Sequence, residues 1–199
     1  MRRFVLGDIH GEYDYLIQVL KASGFNYQED LLVQVGDIVD RGPEPFKCMD
    51  ELLKINHLIL IKGNHDANFI EYMNNNVDFL GSYAQNGTHT TVAKWKELPV
   101  VEKVRYKVAI FDNMIPYHLT NDNIIFTHGG FPRFEKLDDI ADTTFAWDRE
   151  LVQEAMNCKP NEKLPTLYNF KELMSNSLDT KPDFWFDLLR CFDKTNLLY

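Results

Sequence analysis

No stretch of this chain approaches the roughly 18 consecutive apolar residues that a membrane-spanning helix needs. The opening MRRFVLGD carries too short an apolar run for a secretory signal. The expectation is a soluble, cytoplasmic protein. Cysteine is scarce: Cys48, Cys158 and Cys191 are an odd number, far apart and without a CxxC pair. That spacing gives neither a disulfide framework nor a thiolate zinc site, and it suits a reducing compartment. Positive charge is also short, with 21 Lys and Arg against 30 Asp and Glu and a formal net charge of -9. A surface that tracks nucleic-acid phosphates needs clustered Lys and Arg, so that class is set aside. An anionic substrate must instead be held locally, by metal ions or by individual arginines. There is no internal repeat and no low-complexity segment; CKPNEKLP (158–165) reads as a surface loop. Histidine is limited to 6 residues, and none follows His128.

What is present is enough for a core. With 199 residues, 45% hydrophobic and 13% aromatic, the chain reads as one domain over 1–199. RRFVLGD is a short apolar run ending in Gly-Asp, and in the EYDYLIQVLKASG that follows, Tyr13, Leu16, Ile17 and Leu20 recur at helical spacing before Gly24. The unit repeats as DLLVQVGD, a helix near PFKCMDELLKIN, and a third strand, LILIKGNHD. Such alternation predicts parallel βαβ units with functional loops at the carboxyl ends of the strands. From about residue 100 the pattern changes. KVAIFDNMIPYHL, a TNDN turn and IIFTHGG read as antiparallel strands of a second sheet. PDFWFDLLRCFDKTNLLY reads as an amphipathic C-terminal helix.

The chemistry collects at the strand ends. GDIHG supplies Asp8 and His10, GDIVDRG supplies Asp37 and Asp40, and GNHD supplies Asn64, His65 and Asp66. A single Gly-Asp is most simply a β-turn. Three successive strand ends carrying this mixed oxygen and nitrogen set are not explained that way. The set lacks cysteine and suits Mn, Fe or Zn. An Asp able to bridge two ions, flanked by His and Asn on neighbouring loops, is what a two-metal hydrolytic site requires. His128, delivered by an apolar run onto Gly-Gly, has the form of a further ligand.

GDIHG, GDIVDRG, GNHD, HGG and WDR, in that order, resemble the phosphoprotein phosphatase family of calcineurin-like metallophosphoesterases. The similarity is greatest to its small bacterial and phage branch, the lambda-type protein phosphatases and symmetrical dinucleoside tetraphosphate hydrolases. The resemblance implies a four-layer α/β sandwich, two mixed sheets flanked by helices; the departure of the C-terminal stretch from the family pattern leaves the second sheet incomplete in this expectation. It implies two divalent ions, manganese first among the candidates, with Asp8 and His10 on one, Asp37 bridging, and Asn64 and His128 on the other. It further implies a metal-bound hydroxide as nucleophile, His65 as general acid oriented by Asp40, and Arg41, Asn64 and Arg149 on the phosphoryl group. The implied substrate is a phosphorylated protein, at Ser/Thr or with dual specificity, or a small phosphoester; the alternative is a dinucleoside tetraphosphate. NGTHTT (86–91) resembles the family's NGG loop and brings His89 near the site, although a solvated loop histidine is the simpler reading. His57 and His118 read as structural or exposed. Asp66 stands where many relatives have Glu, a departure given little weight.

The family-like region is 4–172, with strongest motifs to about 150 and an atypical tail over 173–199. The family places one more histidine after WDR, in a strand ending GHTP; here the corresponding stretch is MSNSLDTKPDFWFDLL. Three readings follow. Asp179 replaces the missing ligand, against the simpler reading of a turn aspartate; or the chain after about 172 is truncated or out of frame; or the protein is a non-catalytic relative that binds metal or phosphate.

Overall fold

A computed structural model of the protein describes residues 1–75, 87–122, 124–131 and 137–150. The expected 158–165 loop, the C-terminal helix, Cys158, Cys191 and Asp179 lie outside these residues. The chain divides into two compact units. One comprises Met1–His118 with Phe126–His128; the other comprises Leu119–Ile125 and the chain from Gly129 onward.

The first unit is built on a parallel sheet of β1 (Arg3–Leu6), β2 (Leu31–Gln34) and β3 (His57–Leu60), in that order. Helix α1 (Tyr13–Ala22) connects β1 to β2, and α2 (Pro45–Leu52) connects β2 to β3. The register sets Leu6 beside Gln34 and Gln34 beside Leu60, so the three strands end level. Strands lie about 4.8 Å apart, and loops leaving level ends emerge side by side. This is why Gly-Asp after β1, Gly-Asp after β2 and Gly-Asn after β3 fall into one neighbourhood.

The core lies under those loops. Leu16 and Leu20 from α1, Leu32 from β2, and Phe46, Met49 and Leu52 from α2 are buried together with Ile38 and Val39 of the second loop. Phe69 and Tyr72 join them from α3 (Asn64–Asn75), Val92 from α4 (Thr88–Glu97), and Tyr106 from α5 (Val100–Ala109). Each such side chain contributes about 1.5–3 kcal/mol relative to exposure.

Two sequence expectations are corrected. GNHD is not a loop: Asn64 begins α3, so Asn64, His65 and Asp66 occupy a helix's first turn. Most of KVAIFDNMIPYHL is helical or turn, because α5 runs to Ala109 and Phe111–Asn113 forms a 3-10 turn; only β4 (Tyr117–Leu119) is strand. Pro99 at the N-cap and Glu102 in the first turn start α5 as a helix despite its valines. β4 and β5 (Ile125–Thr127) form a two-stranded sheet around the expected turn, with Thr120 N–H donating to Ile124 O at 2.8 Å. Helix α6 (Asp142–Trp147) belongs to the second unit, and its Phe145 O accepts from the Gly129 N–H at 2.7 Å.

Candidate active site

The first loop is laced to the second through the backbone. Ile9 and His10 N–H both donate to Asp37 O (3.0 and 2.9 Å), and Gly11 N–H donates to Ile38 O. The buried Gln34 braces the same region, its amide donating to Gly36 O (2.6 Å) and its carbonyl accepting from Gly36 N–H (3.0 Å). The second and third loops meet through glycine. A Cβ at Gly63 would overlap the backbone N and Oδ1 of Asp37, which leaves room only for hydrogen.

Asp66 ties the second and third loops. It is fully buried, its Oδ2 accepts from the N–H groups of Asp37 (2.6 Å) and Gly63 (3.0 Å), and its Oδ1 accepts from Ile38 N–H (3.0 Å). Its place in the first turn of α3, reaching back to the N–H just before the helix, is half of a capping box. Asp37 Oδ1 takes the next free helical donor, His65 N–H, at 3.0 Å. The unpaired donors of a helix N-terminus are thus distributed over two site carboxylates. Burial pushes Asp66 up to about 7, with the Asp37 charge acting in the same direction and the three N–H donors against it. Burial likewise pushes Asp37 up to about 6.

Four non-glycine residues have positive φ among the described residues: His10 (46°), Asp37 (58°), Asp40 (72°) and Arg41 (63°). All four are residues that the sequence marks for chemistry. Asp and His enter this region more readily than most residues, whereas Arg does so at a cost.

The donor set fits a pair of cations. His10 Nδ1 lies 2.8 Å from Val39 O and His128 Nδ1 lies 2.9 Å from Val35 O. In neutral rings these nitrogens donate to the carbonyls, which turns the Nε2 lone pairs inward, as metal-binding histidines are commonly held. His10 Nε2 is buried, has no hydrogen-bond partner among the described residues, and faces Asp37 Oδ2 (3.6 Å) and Asp8 Oδ2 (3.8 Å). His128 Nε2 faces Asn64 Oδ1 (3.0 Å) and Asp37 Oδ2 (3.5 Å). Lone pairs converging on lone pairs in a buried setting repel unless positive charge lies between them. Ligand atoms of Asp8, Asp37 and His128 lie within 4.8 Å of one another, as do those of His10, Asp37 and His65. Asp37 is common to both groups. Burial lowers the affinity of His10 for a proton, which leaves the ring available as a neutral donor.

Next to these groups is a dyad. His65 Nδ1 lies 2.7 Å from Asp40 Oδ2, with both side chains almost wholly buried. Burial opposes the imidazolium, but the Asp40 hydrogen bond and the Asp37 and Asp40 charges outweigh it and hold His65 above its ordinary value. Arg41 is exposed at the rim, with Nη2 3.3 Å from His65 Nε2. Arg149 belongs to the second unit, where its guanidinium donates to Ala146 O (3.3 Å) and Asp148 O (2.8 Å). The exposed His89 lies on α4, and His57 is exposed at the start of β3. His118 is half-buried and stacks on Phe126, with ring centroids 6.3 Å apart.

The sequence reading missed Gln34, the three-bond role of Asp66, and Thr88 and Thr91. Thr88 Oγ1 donates to Asp40 Oδ2 at 2.9 Å, and Thr91 Oγ1 accepts from Asp40 N–H at 2.8 Å. The signal was available in NGTHTT, since residues three apart share a helical face. A helix beginning at Thr88 turns both hydroxyls the same way and His89 elsewhere.

Residues 1–185 match the family model described as calcineurin-like phosphoesterase, a span that runs beyond residue 172 and through Asp179. The chain is 30% identical over 170 residues to serine/threonine-protein phosphatase 2 of Escherichia coli (strain K12), covering 77% of this chain and 71% of that protein. It is 27% identical over 143 residues to an asymmetrical bis(5'-nucleosyl)-tetraphosphatase of Anoxybacillus flavithermus, covering 63% of this chain and 56% of that protein's length. The fold is similar to a crystal structure of a proposed diadenosine tetraphosphatase, with TM-score 0.58 and 20% identity over 81% of this chain and 72% of that one.

Proposed function

We propose that this chain, which belongs to the calcineurin-like phosphoesterase family, is a metal-dependent phosphoester hydrolase acting on phosphorylated serine, threonine or tyrosine in proteins. The observation that carries the reading is the approach of two histidine nitrogens to one buried carboxylate oxygen: His10 Nε2, without a hydrogen-bond partner among the described residues, lies 3.6 Å from Asp37 Oδ2, and His128 Nε2 lies 3.5 Å from the same oxygen. Asp8 and His10 would hold one ion, Asn64 and His128 the other, and Asp37 both, with manganese the preferred metal. Bound divalent ions supply activation of the attacking water and neutralisation of phosphoryl charge.

The chain's own residues do the rest. Arg41 offers a planar fork of donors to the phosphoryl oxygens. The water oxygen bonds to phosphorus, and the phosphorus–oxygen bond to the leaving group breaks with its electron pair on the leaving oxygen. That oxygen takes a proton from His65 Nε2, while the water's proton passes to solvent, from which His65 is recharged. Asp40 holds the opposite ring nitrogen and so aims Nε2. Arg149, Asn64 as a phosphate contact, and a cytoplasmic location remain parts of the proposal.

A second substrate class, the dinucleoside tetraphosphates, is favoured by the names of the Anoxybacillus relative and of the similar crystal structure. Substrate choice resides in the loops around such a site, not in its ligands. Metal-loaded protein assayed on a phosphoprotein and a dinucleoside tetraphosphate in parallel separates the two. Manganese-dependent hydrolysis of an aryl phosphate should be abolished in Asp37→Asn and strongly reduced in His65→Asn. Turnover no higher than the Asp37→Asn control would replace the hydrolase with a non-catalytic relative.

A further inference from the structure

We infer that Thr88 is a positioning residue for the proton donor: its hydroxyl fixes the Asp40 carboxylate in the plane that aims His65 at the leaving oxygen. The inference rests on the general-acid role proposed for His65.

Both hydrogen bonds to the Asp40 side chain run through a single oxygen. Oδ2 accepts from His65 Nδ1 at 2.7 Å and from Thr88 Oγ1 at 2.9 Å, while the buried Oδ1 has no partner among the described residues. A carboxylate held by one donor can turn about that contact. Two donors on one oxygen, arriving from α3 and α4, remove the freedom. The backbone of the same segment is fixed independently, by Asp40 N–H to Thr91 Oγ1 (2.8 Å) and by Arg41 N–H to Gly87 O (3.2 Å). Gly87, itself at φ 86°, permits the approach, since a Cβ there would lie 2.9 Å from Arg41 N and Cα. Thr91 and Gly87 therefore hold the main chain, and Thr88 alone from α4 addresses the carboxylate. Among the described residues, the Thr88 side chain hydrogen-bonds to Asp40 and to none of the proposed ion ligands. It acts through Asp40.

The consequence is selective for leaving group. An alkoxide or phenoxide leaves well only when protonated, whereas 4-nitrophenolate is a weak base that departs without a proton. Loss of one hydrogen bond to a charged group corresponds to roughly a tenfold or greater loss of rate where that group's alignment matters. In the manganese-loaded full chain, Thr88→Val should lower kcat for phenyl phosphate by about tenfold or more. The fall for 4-nitrophenyl phosphate should be much smaller, KM for both esters should change little, and Thr88→Ser should restore the phenyl phosphate rate. Thr88→Ala carries the same prediction if the valine variant does not fold. An equal fall for both esters, or no fall, in a background where His65→Asn discriminates between them, overturns the role of Thr88 alone. If His65→Asn does not discriminate either, the general-acid reading falls and this inference falls with it.

Discussion

Replacing Asp66 by Asn tests whether a buried carboxylate holds the second and third loops together. The side chain is fully buried and meets three backbone donors: Asp37 and Gly63 N–H on one oxygen, Ile38 N–H on the other. Asparagine keeps the shape but has one acceptor oxygen, so its NH2 must face at least one of these donors. With the amide oxygen toward Asp37 and Gly63, one donor is left unsatisfied, at about 1–3 kcal/mol; the other orientation leaves two, at about 2–6 kcal/mol. The cheaper orientation wins. The expected loss is about 1–3 kcal/mol, a sizeable part of the roughly 5–15 kcal/mol that holds a domain folded. For a chain of this length that lowers Tm by about 2–12 °C. Urea unfolding followed from about pH 4 to about pH 8 measures it. Burial raises Asp66 to about 7 in the folded protein, so the wild type alone loses stability as pH rises from the ordinary 3.8 to about 7. The deficit of asparagine is largest at the acid end and shrinks across that window. A change below about 0.5 kcal/mol would refute the reasoning. Asp66→Glu should also destabilise, by about 1–3 kcal/mol, because a fully buried site has no room for an added methylene.

Gly63→Ala should destabilise by at least about 1–3 kcal/mol and lower manganese-dependent turnover, since its Cβ would overlap Asp37; thermal unfolding and an aryl phosphate assay check both. Manganese at about 100 times its Kd should raise stability by roughly 2.7 kcal/mol over chelator-treated protein, and Asp37→Asn should erase the shift in a thermal melt. Asp30→Asn removes a carboxylate that accepts from Arg2 Nε (3.0 Å) and Nη2 (2.6 Å) and from Asn26 N–H (2.8 Å). The Arg2 hydrogen bond holds Asp30 at about 2, below its ordinary 3.8. Because the folded value is the depressed one, this stabilisation is fully present above 3.8 and is lost as pH falls through about 2. The stability difference between wild type and Asp30→Asn in urea should narrow across that window; a constant difference would contradict it.

Much of the first unit was legible because its signals are local. Short apolar runs ending in Gly-Asp, separated by helical spacing, specify level strand ends, and level ends bring Asp8, Asp37 and Asn64 into one neighbourhood. What escaped was of two kinds. Val108–Phe111 is an apolar run too short to distinguish strand from helix by period, and the deciding features, Pro99 and Glu102, lie at the other end of the element. GNHD follows a strand and so resembles a loop in sequence, although an acid three residues after Gly63, ahead of Phe69 and Tyr72, is also how a helix begins. The second kind depends on contacts between distant segments. Gln34, Asp66 and Thr88 are ordinary residues in sequence, and they gain roles only when folding places a carbonyl, an N–H or a carboxylate beside them.

The left-handed backbone at His10, Asp37, Asp40 and Arg41 sets the interests of the enzyme against those of the fold. A left-handed residue with a Cβ costs roughly 1–2 kcal/mol, and glycine escapes that cost. Arg41 gains least from the conformation, being exposed and lacking the short polar side chain that eases Asp into it. A library screened only for survival of heating should therefore drift to glycine at position 41 and return robust proteins without the phosphate contact proposed for Arg41. A library screened for turnover should keep the arginine and accept the lower melting point. The thermal tolerance of a working enzyme of this kind has a ceiling set by its chemistry, and position 41 is where that ceiling can be read.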